Sequence, residues 1–301
     1  MKLSPRSKNL QIMTCPSCNS NDVKVYQYKE GTISLCRGCK LQWGEYNELF
    51  SRSTNSAVLH EKIREGIYAY YMNSNSISSA AHYSPYVSFF RFIGKKKPHG
   101  CLRILDIGCG NGTFIKECIR QGHDAMGIEI DANLRSVIPA DILNRIIFSS
   151  VEKAQIPDPL FDIITFWDSF EHLLDGFEVL DNLRPHLKKG GLIYLRVNNN
   201  KDITNLLSLF SIRLFPEFGK KMLKICFGFP DHVWNFSKIG MSNLLNKRHW
   251  EIVLCRLSET PAERFAKNIF LVYAIRLGYL CNKIIGGGKI GEYYIIDSIK
   301  K

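Results

Sequence analysis

Two kinds of periodicity divide the chain. Val23-Lys24-Val25-Tyr26-Gln27-Tyr28 alternates apolar and polar residues as a half-buried strand does, and Gly31 offers a turn before Ile33-Ser34-Leu35. From Leu49 to about Gly100 the periodic signal fades, and Ser and Asn crowd 51–56 and 73–79, which predicts a connector with short helices over 49–100. Its aromatic residues, among them Tyr68, Tyr70, Tyr71, Tyr83, Tyr86, Phe89, Phe90 and Phe92, are too many for a free linker. They are expected to pack on the next domain; a lid over a substrate pocket is the alternative. Lys95-Lys96-Lys97-Pro98 closes the stretch, because like charges and a proline oppose regular structure.

A different pattern begins at Cys101. Arg103-Ile104-Leu105-Asp106-Ile107 is a short apolar run, Gly108-Cys109-Gly110-Asn111-Gly112 follows, and Thr113 to Arg120 has helical spacing at Phe114, Ile115, Cys118 and Ile119. The order is strand, glycine loop, helix. Further strands are read at Ala125–Glu129, Ile146–Phe148 and the run that ends in Phe166-Trp167-Asp168, and a helix at Ile239–Asn246. Between Asn200 and Pro230 lie amphipathic segments with lysines between apolar positions, such as Lys220-Lys221-Met222-Leu223-Lys224-Ile225. They are expected to form a substrate cap at about 200–230, the alternative being rest in the interfacial layer of an anionic membrane. Trp250–Cys255 and Tyr293–Ile299 read as the last two strands, separated by a helix through Ile269 to Leu280 and by Gly286-Gly287-Gly288.

Composition narrows the class. With 301 residues, 45% hydrophobic and 23% charged, the chain is globular rather than collagen-like or disordered. The first residues contain no apolar run of the kind a secretory signal needs, and Ile269 to Cys281, broken by Arg276, falls short of the roughly 18 to 20 residues that cross a bilayer. A cytoplasmic protein without a transmembrane segment is expected, with peripheral contact on the inner membrane face as a variant. The net charge of +12 is unevenly placed, +8, −4 and +8 in successive thirds. Basic flanks favour encounter with RNA, phosphorylated sugars or an acidic membrane and do not choose among them.

Four of the ten cysteines form two pairs, Cys15-Pro16-Ser17-Cys18 and Cys36-Arg37-Gly38-Cys39, with seventeen residues between them. A tight turn within each pair aims two thiolates at one ion, and two such knuckles complete the tetrahedral shell of structural zinc. A zinc ribbon over residues 10–48 is predicted. A four-sulfur shell has no open position for substrate, so its role is stability or docking.

The glycine loop poses the question of which ligand it takes. A dinucleotide loop would need glycine where Thr113 stands and would leave its mouth free of negative charge. Here the pattern is D-x-G-x-G-x-G with Asp106 at the mouth, where a carboxylate repels phosphate and suits an ammonium group. S-adenosylmethionine has that character. Glu129, nineteen positions after Gly110, can take both ribose hydroxyls, with Asp131 as its competitor for that role.

Together with Phe161-Asp162-Ile163-Ile164-Thr165-Phe166-Trp167-Asp168-Ser169-Phe170-Glu171-His172-Leu173 and Leu187-Lys188-Lys189-Gly190-Gly191-Leu192, these motifs resemble the class I S-adenosylmethionine-dependent methyltransferases over about Cys101 to Asn199. With its four-cysteine ribbon, the chain is similar to a bacterial subgroup whose members often modify sugars or other small metabolites. The resemblance implies an α/β fold, a doubly wound, seven-stranded, mostly parallel Rossmann-like sheet over 101–301, behind the small zinc ribbon. It implies that Asp106 and the loop Gly108, Cys109 and Gly110 hold the methionine end, and that Glu129 holds the ribose. Ser150 and Val151 would lie beside adenine, although Ser149-Ser150-Val151 stands where many relatives carry an acid. Trp167 and Asp168 would face the methionine moiety near the methyl group. Candidate general bases are His172 and His232, and Asn198 and Asn199 are candidate acceptor contacts. The expected acceptor is a small or carrier-linked metabolite, for instance a sugar of a surface polysaccharide. The alternatives are an RNA methyltransferase that docks RNA with the ribbon and basic flanks, and a non-catalytic nucleoside-binding module.

Overall fold

The fold was described from a computed structural model, which covers residues 13–47, 80–96, 100–259 and 269–299. Its centre is a seven-stranded sheet of β4 (Arg103–Ile107), β5 (Asp124–Glu129), β6 (Ile146–Phe148), β7 (Phe161–Trp167), β8 (Leu187–Asn198), β10 (Trp250–Ser258) and β11 (Ile290–Asp297), ordered β10-β11-β8-β7-β4-β5-β6. The pairs β4–β5, β4–β7, β5–β6 and β7–β8 are parallel, whereas β11 runs antiparallel to both β8 and β10. The chain thus winds outward from β4 to β6, then returns to β7 on the other side of β4. That reversal lies at the carboxyl ends of β4 and β7, the place where doubly wound sheets hold their ligands. The central strands are buried on both faces; β7 carries six buried residues in succession, so it reads as a continuous apolar run rather than an alternating one.

Helices cover both faces of the sheet. Helix α1 (Ala80–Lys96) buries Tyr86, Phe89 and Ile93 against Phe114, Ile115, Cys118 and Tyr194, and its Phe90 and Phe92 pack at the edge of the same cluster. Residues 80–96, read as connector, therefore share the core of the α/β unit, as their aromatic content required. Tyr68, Tyr70 and Tyr71 lie outside the described residues. Helix α2 (Thr113–Arg120) follows the glycine loop, a single turn α3 (Ala140–Leu143) precedes β6, and α4 (Gly176–Leu183) leads into β8. The segment expected as a cap is a helical hairpin, α5 (Ile203–Leu214) and α6 (Pro216–Phe227), in which Gly219 seats against the Ile212 backbone where a Cβ would come within 2.3 Å. Helix α7 (Lys238–Asn246) starts on a Ser237 cap whose hydroxyl accepts the Gly240 amide, and α8 (Ile269–Ile284) fills the connection between the last two strands.

The cysteine-rich segment forms its own antiparallel sheet from β1 (Val23–Gln27), β2 (Gly31–Cys36) and β3 (Gln42–Tyr46). The fourth strand of that sheet comes from far along the chain: β9 (Trp234–Asn235) pairs Trp234 with Trp43 and Asn235 with Gln42. Buried polar groups lock the junction. Gln42 donates to Asn205 and accepts from Asn235, Ser237 donates to the Cys39 carbonyl, Asn200 donates to the Lys40 carbonyl, and Ser17 donates to the Gly240 carbonyl. Cys15, Cys36, Leu41 and Trp43 share one apolar cluster with Phe177, Phe236 and Met241. Ribbon and α/β unit are one core.

Candidate functional site

The loop after β4 decides the character of the site. Gly108, Gly110 and Gly112 all have φ between 56° and 74°, a left-handed run that glycine adopts without strain. This geometry turns the amides inward: Gly108 and Cys109 donate to the Ile128 carbonyl, Gly110 donates to Glu129 Oε2 at 2.8 Å, and Gly112 donates to the Cys109 carbonyl. Gly108 and Gly110 carbonyls accept no hydrogen bond from the described residues. Four loop amides are thus engaged within the protein while two carbonyls keep their acceptor capacity, and acceptors match an ammonium group. Space is equally constrained, since a Cβ on Gly108 would stand 2.7 Å from Ser169 Cβ. Ser169 also ties the fourth-strand turn to β4, its hydroxyl donating to the Ile107 carbonyl at 2.7 Å.

Asp106 lies beneath the loop, 2% exposed, with Oδ1 accepting from Thr165 Oγ1 at 2.8 Å. Burial, opposed by that hydrogen bond and reinforced by the neighbouring Glu129 charge, pushes its carboxyl up to about 8. At the end of β5, Glu129 accepts the amides of Gly110 and Asp131 through its two oxygens, and burial raises its carboxyl as well. Each oxygen keeps lone-pair capacity for a further donor. Asp131 caps the next turn by accepting the Asn133 amide, which leaves Glu129 as the acid that braces the loop. Ser150 and Val151 follow β6 half-buried, Val151 packing on the main apolar cluster.

The carboxyl end of β7 carries the next group. Trp167 packs among Tyr86, Phe114 and Tyr194, with ring centroids 4.7 to 4.9 Å away, and its Nε1 is buried without a hydrogen-bond partner among the described residues. Asp168 takes a left-handed φ of 52° and forms an ion pair with Arg196 of β8, which is 3% exposed. Glu171 is 1% exposed and desolvated beside Asp168, which drives its carboxyl up to about 8. His172 and His232 stack edge to face at 4.6 Å. His172 Nδ1 lies 2.9 Å from the Asp231 carbonyl; an N–H donated there leaves Nε2 as the acceptor. His232 Nδ1 lies 2.6 Å from the Asn198 amide and 3.0 Å from the Phe227 carbonyl. Burial, then the charge of His172, lowers His232 to about 4, so it is neutral at physiological pH. The two histidines and Glu171 offer three ligand atoms within 4.8 Å of one another, a donor set of the kind that binds divalent cations. Asn199, by contrast, is buried and donates to the Gly288 carbonyl, so of the asparagine pair it is Asn198 that stands beside the histidines.

The profile of the methyltransferase domain family matches residues 77–254, more than half of the chain. The chain belongs to that family. Its match begins just ahead of α1, in keeping with the place of that helix in the core. Among curated methyltransferases, the chain is similar to the ubiquinone biosynthesis O-methyltransferases of Hydrogenovibrio crunogenus, 26% identical over 36% of this chain and 47% of that one, and of Xylella fastidiosa, 28% identical over 42% and 55%. The matched stretch spans about half the length of those relatives. Among solved methyltransferases it resembles in fold the plantazolicin methyltransferase BpumL, solved with SAH and a triazolic desmethylPZN analog, at TM-score 0.52 and 14% identity over 80% of this chain and 93% of that one. A SAM-dependent methyltransferase from Archaeoglobus fulgidus gives TM-score 0.50 and 20% identity over 76% and 99%.

To this methyltransferase fold the ribbon adds the four cysteines. The Sγ atoms of Cys15, Cys18, Cys36 and Cys39 all lie within 4.8 Å of one another, with Cys15–Cys39 at 3.6 Å and Cys18–Cys36 at 3.5 Å, and none is bridged. A tetrahedron with zinc–sulfur bonds of about 2.3 Å has edges of about 3.8 Å, so the cluster fits a zinc ribbon.

Three residues of the site were not read from the sequence. Thr165 holds Asp106 from the adjacent strand, Arg196 holds Asp168, and Glu171 sits under the histidines. The first two depend on strand register; Glu171 alone had a local signal, its place directly before His172.

Proposed function

We propose that this methyltransferase uses S-adenosylmethionine to methylate a hydroxyl of a small or carrier-linked metabolite, such as a sugar of a surface polysaccharide. The observation that supports the cofactor is a glycine loop whose Gly108, Gly110 and Gly112 amides are already bonded within the protein and whose Gly108 and Gly110 carbonyls accept nothing from the described residues, beside the buried carboxyl of Asp106: acceptors of this kind suit an ammonium group. Asp106 and the loop, with Cys109 packed behind it, would hold the methionine end. Glu129 would take the ribose, and Ser150 with Val151 would flank adenine. Asp168, fixed by Arg196, would face the methyl-bearing end with Trp167 as its wall. Bound there, the cofactor supplies an electrophilic methyl group, and the protein's task is to hold the acceptor oxygen in line with it.

On the acceptor side, His172 Nε2 is the group placed to remove a proton from a weakly nucleophilic hydroxyl. His232, neutral and held against Asn198, shapes the same wall. The names of the curated relatives support an oxygen acceptor. Zinc held by Cys15, Cys18, Cys36 and Cys39 would be structural, since all four positions of its shell are protein sulfur.

The test is incubation of the full chain with methyl-labelled cofactor and a cell extract fractionated into RNA, lipid, polysaccharide and small molecules. Label in the polysaccharide, lipid or small-molecule fraction is expected. Label confined to RNA overturns the acceptor, and tight binding of S-adenosylhomocysteine with no label in any fraction overturns catalysis.

A further inference from the structure

Helices α5 and α8 both turn large apolar side chains outward, and α5 buries Ile212 together with two polar residues. Helix α5 buries Asn205 and Ser208, whose polar groups bond to neighbouring backbone and to Gln42, and turns outward Leu206, Leu207, Phe210 and Leu214. Those four stand at i, i+1, i+4 and i+8, which on a 3.6-residue helix is a single stripe about 100° wide. Helix α8 repeats the arrangement. It buries Asn282, which holds Asp202, Glu259 and the Ile203 amide, and exposes Tyr273, Leu277, Leu280 and Ile284 at i, i+4, i+7 and i+11, each at least half exposed.

The bonds of Asn282 join α8 to the start of α5, and α6 continues the surface with Phe215, Phe218 and Ile225 at 60% exposure or more. Large apolar side chains exposed in this number on neighbouring helices mark a place meant to be covered. The charge around it names what covers it. Helices α5, α6 and α8 carry Arg213, Lys220, Lys221, Lys224, Arg276 and Lys283 against one acid of their own, Glu217; Lys220 pairs with Glu217 and Lys224 with Glu30 of the ribbon, so the positive balance rests on the others, among them Arg213, Lys221 and Lys283. Apolar stripes interleaved with cations match a bilayer surface with anionic headgroups, into which the apolar side chains settle while lysine and arginine meet the phosphates. Among the described residues no helix is long and apolar enough to cross a membrane, so the contact is with the surface.

We infer that α5, α6 and α8 form a docking face for an anionic lipid bilayer. None of the exposed side chains named here is among the proposed methyl-transfer residues, so the inference does not depend on that reading.

The test is co-flotation of the full chain with vesicles of phosphatidylcholine alone or with about one quarter phosphatidylglycerol. The wild-type chain is expected to float with the anionic vesicles, to stay behind with neutral ones, and to be released by raising salt from about 0.1 M to about 0.5 M. Two variants, Leu207→Ser with Phe210→Ser on α5 and Leu277→Ser with Ile284→Ser on α8, should each lower the bound fraction at least about fivefold. Because these side chains are exposed, melting temperature and S-adenosylhomocysteine affinity should stay at the wild-type values, which separates lost docking from lost folding. Failure of the wild-type chain to float, or flotation of both variants at the wild-type level, overturns the inference. So does a concentration-dependent dimer by light scattering that both variants abolish, with no vesicle binding: the face would then join two copies of the chain.

Discussion

Asp106→Asn isolates the group on which the cofactor reading rests. The unfolded carboxyl titrates near 3.8 and the folded one near 8, so the folded state retains a proton that the unfolded state releases as pH rises. Stability contributed by this site is therefore undiminished below about pH 4 and falls as pH climbs toward 8, levelling off above it. At neutral pH the accumulated penalty is about 4 kcal/mol, from roughly three pH units at about 1.4 kcal/mol each. Asparagine cannot ionise, and its side-chain oxygen keeps the bond from Thr165. The variant should be more stable than the wild type by about 2–4 kcal/mol at pH 7, or roughly 5–15 °C in melting temperature. The gain should nearly vanish at pH 4 and widen to pH 8. The same change removes the carboxyl that a bound ammonium would draw into its ionised form; ionising it at pH 7 costs about 1.4 kcal/mol of the roughly 1.5–3 kcal/mol a charged hydrogen bond returns, so S-adenosylhomocysteine should bind up to about 10-fold more weakly at pH 7, and the difference should grow toward pH 8. Thermal melts at several pH values and calorimetric titration measure the two effects. A melting difference that does not vary between pH 5 and 8, or unchanged ligand affinity, would refute the reasoning.

Further outcomes follow from the neighbouring geometry. Glu129→Ala leaves the Gly110 and Asp131 amides without their acceptor and deletes the ribose partner; calorimetry should show S-adenosylhomocysteine affinity falling by about 10²- to 10³-fold. Gly108→Ala, strained at φ 72° and crowded by Ser169, should lower stability by about 1–3 kcal/mol in denaturant melts. His232 folds with its ring near 4 against an ordinary 6.5, so the unfolded state takes up the proton first and stability is lost as pH falls from about 6.5 toward 4. Urea melts at pH 4.5 and 7 should show this loss, up to about 3 kcal/mol, shrinking in His232→Asn. Metal analysis should find one zinc per chain. Stripping it with a chelator should raise amide exchange across β1–β3 and, through the β3–β9 pairing, across 228–237, while leaving 104–112 protected.

Features that live within a few neighbouring residues were legible in the chain itself. Apolar runs at 103–107 and 161–167, the glycines at 108, 110 and 112, and the spacing of the cysteine pairs are set by local conformational and ligand-geometry rules, and each was found where it was expected. Asp106 adjoins the loop in the chain, whereas Glu129, nineteen positions after Gly110, meets the loop because β5 pairs beside β4. What the strand carries on its two faces, however, depends on which strand lies beside it. Thr165 meets Asp106 because β7 returns to the inner side of β4, and Arg196 meets Asp168 because β8 pairs next to β7.

The joining of the ribbon to the α/β unit was decided only in three dimensions. Nothing in Trp234-Asn235 announces a strand, and two residues would not hold one alone; they become β9 because Gln42 and Trp43 present an open sheet edge to them. The same holds for the helical hairpin of α5 and α6. Its lysines and leucines alternate in a way that looks amphipathic in either direction, and which face turns inward was settled by the polar partners Asn205 and Asn282 find at the junction. Periodicity along a chain reports that a helix has two faces. Which one is buried is a matter of long-range hydrogen bonding, and that information resides in the packing of segments 198 to 223 residues apart.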